Sequence, residues 1–242
     1  MKRPLPSLFG LLLCVMLTSS VQAQMKVVAM GASTGGQTTY QQIIGDLYGN
    51  PVDRYEIPPI VIVQHALTSF STDGFIGLMN SKTHVVFQWL DPVVRLAKDG
   101  EELKNGYIYV APSVGHPDFN KHTTVVKENG KYFIKLDSSA KRAGGNGQLY
   151  RPSVDVLFES VGASAGADGI GFELTGQGYD GACGLWDIRS AGGQTWAQSP
   201  NDPIGQFAAS MPIWAVTVAS AQATVDAADV ASKIPGGPGS EQ

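Results

Sequence analysis

The sequence predicts an α/β protein built on a doubly wound, mostly parallel sheet, with helices on both faces and an inserted β-hairpin. Three observations carry that expectation. Short apolar runs such as "KVVAM" and "PPIVIVQH" lack polar alternation, as strands covered on both faces do. Helical spacing follows them, and the strand-then-helix order recurs along the chain. One segment, "HTTVVKENGKYFIKL", instead alternates around Asn129-Gly130, the strongest short-range signal for a hairpin.

Taken in order, "KVVAM" (26–30) is the first buried strand, and Tyr40, Ile43, Ile44 and Leu47 mark one face of the helix after it. "PPIVIVQH" is a second strand entered through prolines, with Phe70, Phe75, Leu78 and Met79 on the next helix. "GYIYVAP" is a strand and the hairpin follows. "SVDVLFESVGASAG" is helical, "GIGFELTG" a strand, and "ACGLWDIRSAGG" a helix stopped by glycines. "QTWAQ" and "IWAVTV" read as late strands.

The chain has 242 residues, 43% of them hydrophobic, enough for one sizeable core. Residues 1–23 read as a secretory signal: Lys2 and Arg3, an apolar stretch from Leu8 to Leu17, and Val21-Gln22-Ala23 before the cleavage point. That stretch is too short to span a bilayer, so no stable membrane insertion of the mature chain is expected. Leu13 before Cys14 argues against a lipid anchor. The domain is expected over 24–234, and "PGGPGSEQ" (235–242) as a disordered tail. The formal charge of −4 becomes more negative once Lys2 and Arg3 are removed, which disfavours a nucleic-acid partner. Cys183 would then be the one remaining cysteine, leaving no intramolecular disulfide. His65, His84, His116 and His122 form no HxxxH or CxxC spacing, so neither a metal nor another cofactor is expected.

The stretch "MKVVAMGASTGGQTTY" (25–40) decides between phosphate binding and catalysis. Gly31, Gly35 and Gly36 are spaced G-x-x-x-G-G rather than G-x-G-x-x-G, the next strand ends in Gln64-His65 rather than an acid, and no Lys-Ser/Thr pair makes a P-loop. Gly31-Ala32-Ser33-Thr34-Gly35 does fit G-x-S-x-G in the strand-to-helix setting of a nucleophile elbow. The plainer alternative for Ser33 is a helix N-cap in a tight turn. A serine needs a base, and His65 ends the neighbouring strand on the same sheet edge, although such a histidine can equally make one local hydrogen bond. Asp180, in a glycine-rich loop before a helix, is either the acid that orients the imidazole or an N-cap carboxylate. The order serine, histidine, acid, with the elbow on the first strand, differs from that of ordinary α/β-hydrolases.

Six segments in order, "GASTGG", "VIVQH", "DGEELKNGYIYVAPSVGH", "RPSVDVLFESV", "LTGQGYDGACGLWDIRSAGG" and "MPIWAV", resemble the catalytic domain of CheB, the chemotaxis protein-glutamate methylesterase. The resemblance covers about residues 26–232. It implies hydrolysis of γ-glutamyl methyl esters on a methylated chemoreceptor, often with glutamine deamidation, with Ser33 as nucleophile, His65 as base and Asp180 as orienting acid. It further implies oxyanion donors at the Thr34 N–H and in the Gly176-Gln177-Gly178 loop, with Gln177 where the family usually has methionine. His116, Arg151 and Asp155 match family positions near the site and are expected to be structural or substrate-positioning. Ser199 replaces an acid common in the family. No receiver domain is expected in this chain. A start at Met1 implies export and one at Met25 a cytoplasmic protein; receptor demethylation favours the second, and a secreted esterase or a silent binding protein are the alternatives.

Overall fold

The computed structural model describes residues 25–49, 53–65, 71–83, 91–139 and 150–240. Residues 1–24, with the expected signal, and Phe70 and His84 lie outside them. Strands are β1 (Val27–Ala32), β2 (Ile60–Gln64), β3 (Val94–Leu96), β4 (Ile108–Val110), β5 (His122–Glu128), β6 (Lys131–Asp137), β7 (Gly169–Glu173), β8 (Gln194–Gln198) and β9 (Ala223–Val225). Helices are α1 (Gly36–Tyr48), α2 (Thr72–Asn80), α3 (Val154–Ala165), α4 (Ala182–Ser190) and α5 (Ser210–Thr217).

Seven strands form one parallel sheet in the order β3-β4-β2-β1-β7-β8-β9. β1 lies in the middle because all six of its residues can be buried, covered by helices from both sides. Val28 and Met30 point to a core completed by Tyr40, Ile43, Ile44 and Leu47 of α1 and Phe75 and Met79 of α2. Val27 and Ala29 face the opposite core, with Leu157, Phe158 and Val161 of α3, Leu185 and Ile188 of α4, and Met211 and Ala215 of α5. Each such fully buried aliphatic or aromatic side chain contributes about 1.5–3 kcal/mol. β5 and β6 form the separate antiparallel hairpin. Asn129 and Gly130 both take positive φ (50° and 80°), as the predicted turn requires.

Two expectations are corrected. "IWAVTV" is not a strand: Ile213–Thr217 belongs to α5, where Pro212 is tolerated in the first turn and Met211 and Ala215, four apart, face the core. The apolar run hid the helical period because the outward residues are apolar too. The short edge strands β3 and β9 carried no periodic signal. Residues 235–240, expected as a disordered tail, form hydrogen-bonded turns (Gly237 N–H to Ile234 O, 3.0 Å), and Gly236 lies against the backbone of Glu56 so closely that a Cβ would collide with it.

Candidate active site

Chain topology brings the three predicted residues to one edge of the sheet. β1 pairs with β2 in a register that sets Ala32 opposite Gln64, so Ser33 and His65 are the next residues out on adjacent strands. The His65 N–H donates to Ala32 O (2.9 Å), and Gln64 Nε2 donates to both Ser33 O (2.8 Å) and His65 O (3.0 Å), tying the two turns together. On the other side of β1, the Ser33 N–H donates to Thr175 O (2.9 Å), anchoring the serine turn to the segment that follows β7. Gly35 then takes φ 85°, a left-handed conformation that lets the chain turn abruptly into α1. Ser33 is therefore not the N-cap of α1; Gly35 is, and no hydrogen bond engages the Ser33 hydroxyl among the described residues.

Asp180 is fully enclosed and accepts four hydrogen bonds. Its Oδ2 meets His65 Nε2 at 2.7 Å and the Val154 N–H at 2.7 Å; its Oδ1 takes the Ser153 hydroxyl at 2.9 Å and the Asp155 N–H at 3.1 Å. The "RPSVD" segment explains this: Ser153 is the N-cap of α3, and the orphan N–H groups of that helix's first turn point at the carboxylate, where the helix dipole favours an anion. The arrangement is reciprocal. Asp155 Oδ1 accepts the Gly184 N–H (2.7 Å) in the first turn of α4, so each helix start is satisfied by an acid from the other's neighbourhood. Tyr150 stacks on the His65 ring, 5.0 Å between centroids and 3° from parallel.

The backbone donors can be audited one by one. In the loop after β7, the Gly176 N–H is spent on Ala208 O (2.6 Å) and the Gly178 N–H on Ser210 Oγ (2.8 Å). Among the described residues, the N–H groups of Gln177 and Thr34 have no acceptor. Gly176 itself packs on Ser33, since a Cβ built on it would lie 2.7 Å from Ser33 Cβ. Two expected neighbours are engaged elsewhere. His116 Nδ1 accepts the Asp118 N–H (3.1 Å), and Arg151 donates to Asn120 O.

One buried group escaped the sequence reading. Glu173, at the end of β7, is fully buried and neither carboxyl oxygen has a hydrogen-bond partner. Burial pushes its carboxyl well above the ordinary range, and the nearby Asp180 and Asp155 push it the same way. The shift favours its neutral form, and the carboxyl lies beneath Gly181, where a Cβ would collide with it. The signal was present as one acid inside the apolar run "GFEL". Among the described residues, no group of three or more His, Cys, Asp or Glu side chains is placed to hold a metal ion.

Fold and site together define a doubly wound α/β protein in which a serine, a histidine and a buried aspartate converge at the carboxyl ends of the central strands, where such sheets place their ligands. The CheB methylesterase family model matches residues 28–234. The chain belongs to the CheB methylesterase family. It is 34% identical over 218 residues to a protein-glutamate methylesterase/protein-glutamine glutaminase of Bordetella pertussis, covering 90% of this chain and 55% of that protein. A similarly named protein of Sulfurimonas denitrificans is 34% identical over 186 residues, 77% of this chain and 46% of its own length. The chain thus spans about half the length of these relatives. The crystal structure of the Thermotoga maritima CheB methylesterase catalytic domain superposes with a TM-score of 0.69 at 28% identity, covering 86% of this chain and 96% of that one.

Proposed function

We propose that this chain hydrolyses γ-glutamyl methyl esters on a methylated chemoreceptor, with Ser33 as nucleophile, His65 as base and Asp180 as the acid that orients it. The observation that carries the reading is the His65–Asp180 pair locked by the start of α3, one strand away from a serine whose hydroxyl makes no hydrogen bond among the described residues. An imidazole that donates its Nε2 proton to Asp180 keeps Nδ1 as the acceptor. Nδ1 takes the Ser33 proton as Oγ attacks the ester carbonyl, and the N–H groups of Thr34 and Gln177 receive the oxyanion. Collapse of the intermediate breaks the C–O bond, and His65 returns the proton to the departing methoxide. Water, activated by the same imidazole, then frees the carboxylate. An amide substrate would follow the same path with ammonia leaving, which is the deamidase side of the activity.

Gln177 contributes through its backbone, so its replacement of the family methionine leaves the donor in place. His116 and Arg151 hold local loop structure rather than touch the reacting atoms. Met25 is half-buried against the core, the first residue of the described chain to pack there. Receptor demethylation requires the cytoplasmic population. Fractionation with N-terminal sequencing tests this, and an N-terminus at Gln24 found only outside the cytoplasm would promote a secreted esterase instead. The decisive assay is methanol release from methylated receptor: Ser33→Ala is expected to lose on the order of a million-fold in turnover. Activity kept within about tenfold, in a variant that melts normally, removes Ser33 from the mechanism.

A further inference from the structure

Eight large hydrophobic side chains are exposed among the described residues, and six of them gather on or beside α5: Trp186, Phe207, Ile213, Trp214, Val216 and Val218. Trp186 belongs to the group through Arg189, which lies over its ring and donates to Ala219 O just beyond α5. Apart from Ser210 and Thr217, α5 is apolar both inward and outward, with Met211, Pro212 and Ala215 turned to the core and Ile213, Trp214 and Val216 exposed. A helix of that kind is ordinarily covered all round, and a contiguous exposed apolar patch marks a surface that meets something.

The patch is continuous with the catalytic turns. The Met211 N–H donates to Gly176 O (3.0 Å), and Ser210 Oγ accepts the Gly178 N–H, so the first turn of α5 is bonded directly to the loop that carries Gln177. Phe207, 67% exposed, lies over the serine turn: a Cβ on Gly35 would sit 3.1 Å from its ring. Trp214 meets Tyr179 edge to face (6.3 Å), Tyr179 meets Tyr150 (6.0 Å), and Tyr150 stacks on His65. From the serine turn the apolar surface runs along α5, whose eight residues span about 12 Å.

We infer that this face of α5 is the docking surface for the protein that carries the ester, receiving an apolar polypeptide segment of it immediately beside the reacting glutamyl side chain. The inference rests on the methylesterase reading above. A second copy of this chain seated here would cover the serine turn and the Gln177 loop and close the site, whereas a protein substrate has to cover both in order to react. Aromatic anchors at the centre of a patch carry most of the energy in such contacts, which assigns that part to Trp214 and Phe207. The adjoining uncommitted N–H groups then supply orientation rather than affinity.

The test compares two substrates with the full chain: receptor bearing radiolabelled methyl esters, and p-nitrophenyl acetate, which is too small to reach along α5. Trp214→Ala and Val218→Ser, singly and combined, are expected to lower kcat/KM on the methylated protein about tenfold or more relative to the acetate ester, with the loss in KM and with Trp214→Phe recovering most of it. Equal losses on both substrates, or none on the protein, overturn the docking surface. So does a wild-type dimer in sedimentation that Trp214→Ala dissociates while demethylation is unaltered. A wild-type chain that cleaves the acetate ester yet releases no methanol from the receptor overturns the methylesterase reading itself, and the docking with it. The two failures are told apart by whether the wild-type or only the variant behaves unexpectedly.

Discussion

At the scale of single residues, the two acids of the site have opposite characters. Asp180 is an acceptor with four donors, and removing it does two kinds of damage. Asp180→Ala should cost turnover on the order of ten-thousand-fold, less than Ser33→Ala, because an unoriented imidazole still accepts a proton. It should also destabilise the domain by about 1–3 kcal/mol, since buried donors at the start of α3 lose their acceptor. Ser33→Ala should leave the melting temperature unchanged. Differential scanning calorimetry beside the ester assay separates the two, and a thermally silent Asp180→Ala would contradict the helix-anchoring role. Glu173 is the reverse case, a carboxyl pushed toward its neutral form by burial and by Asp180 and Asp155. Its proton is released near pH 4.3 in an unfolded chain, roughly, and at a higher pH in the folded one. Above that pH the unfolded state binds fewer protons, so stability falls as pH rises, by up to about 1.4 kcal/mol per unit, until the folded value is passed. Glu173→Gln keeps the neutral shape and removes that slope. Its advantage in melting temperature over the parent should therefore widen from pH 5 to pH 8; a constant difference would show that Glu173 is already ionised in the fold.

At the scale of elements, α3 and α4 depend on each other's acids. Asp155→Ala strips the Gly184 N–H of its acceptor while leaving the Asp155 N–H on Asp180, so the variant should melt earlier yet keep turnover per folded molecule within about tenfold. Loss of activity comparable to that of Asp180→Ala would mean that the wrong carboxylate had been placed beside His65. This mutual capping also shows what the sequence made legible. Ser33, His65 and Asp180 could be singled out as candidates because each sits at a strand end or a glycine-rich turn before a helix, and local patterns report such places. The hairpin was readable for the same reason, through Asn129-Gly130. α5 was not, because a short run apolar on every side has no period to distinguish strand from helix until its neighbours are known. Which N–H of the Gly176-Gln177-Gly178 loop is left over, and the setting of Glu173, were hidden more deeply. One depends on which N–H groups Ala208 and Ser210 have already taken, and the other on two acids brought close from α3 and the loop before α4.

At the scale of the whole molecule, the order of the strands decides how activity is tied to folding. β1 is flanked by β2 and β7, and each of the three delivers one member of the candidate triad from positions more than a hundred residues apart at the extremes. Chains of this size commonly pass through partly folded states that keep helices while tertiary packing is incomplete. In a denaturant titration, ester hydrolysis should vanish at or before the loss of helical ellipticity and never persist beyond it. Activity trailing the ellipticity would mean that the site survives without the central strands. The position of β1 thus makes turnover an all-or-nothing report on the sheet's middle. If the proposed triad carries the chemistry, a fragment or half-assembled chain should be inactive, and a newly made molecule should stay chemically silent until its three innermost strands have closed on one another.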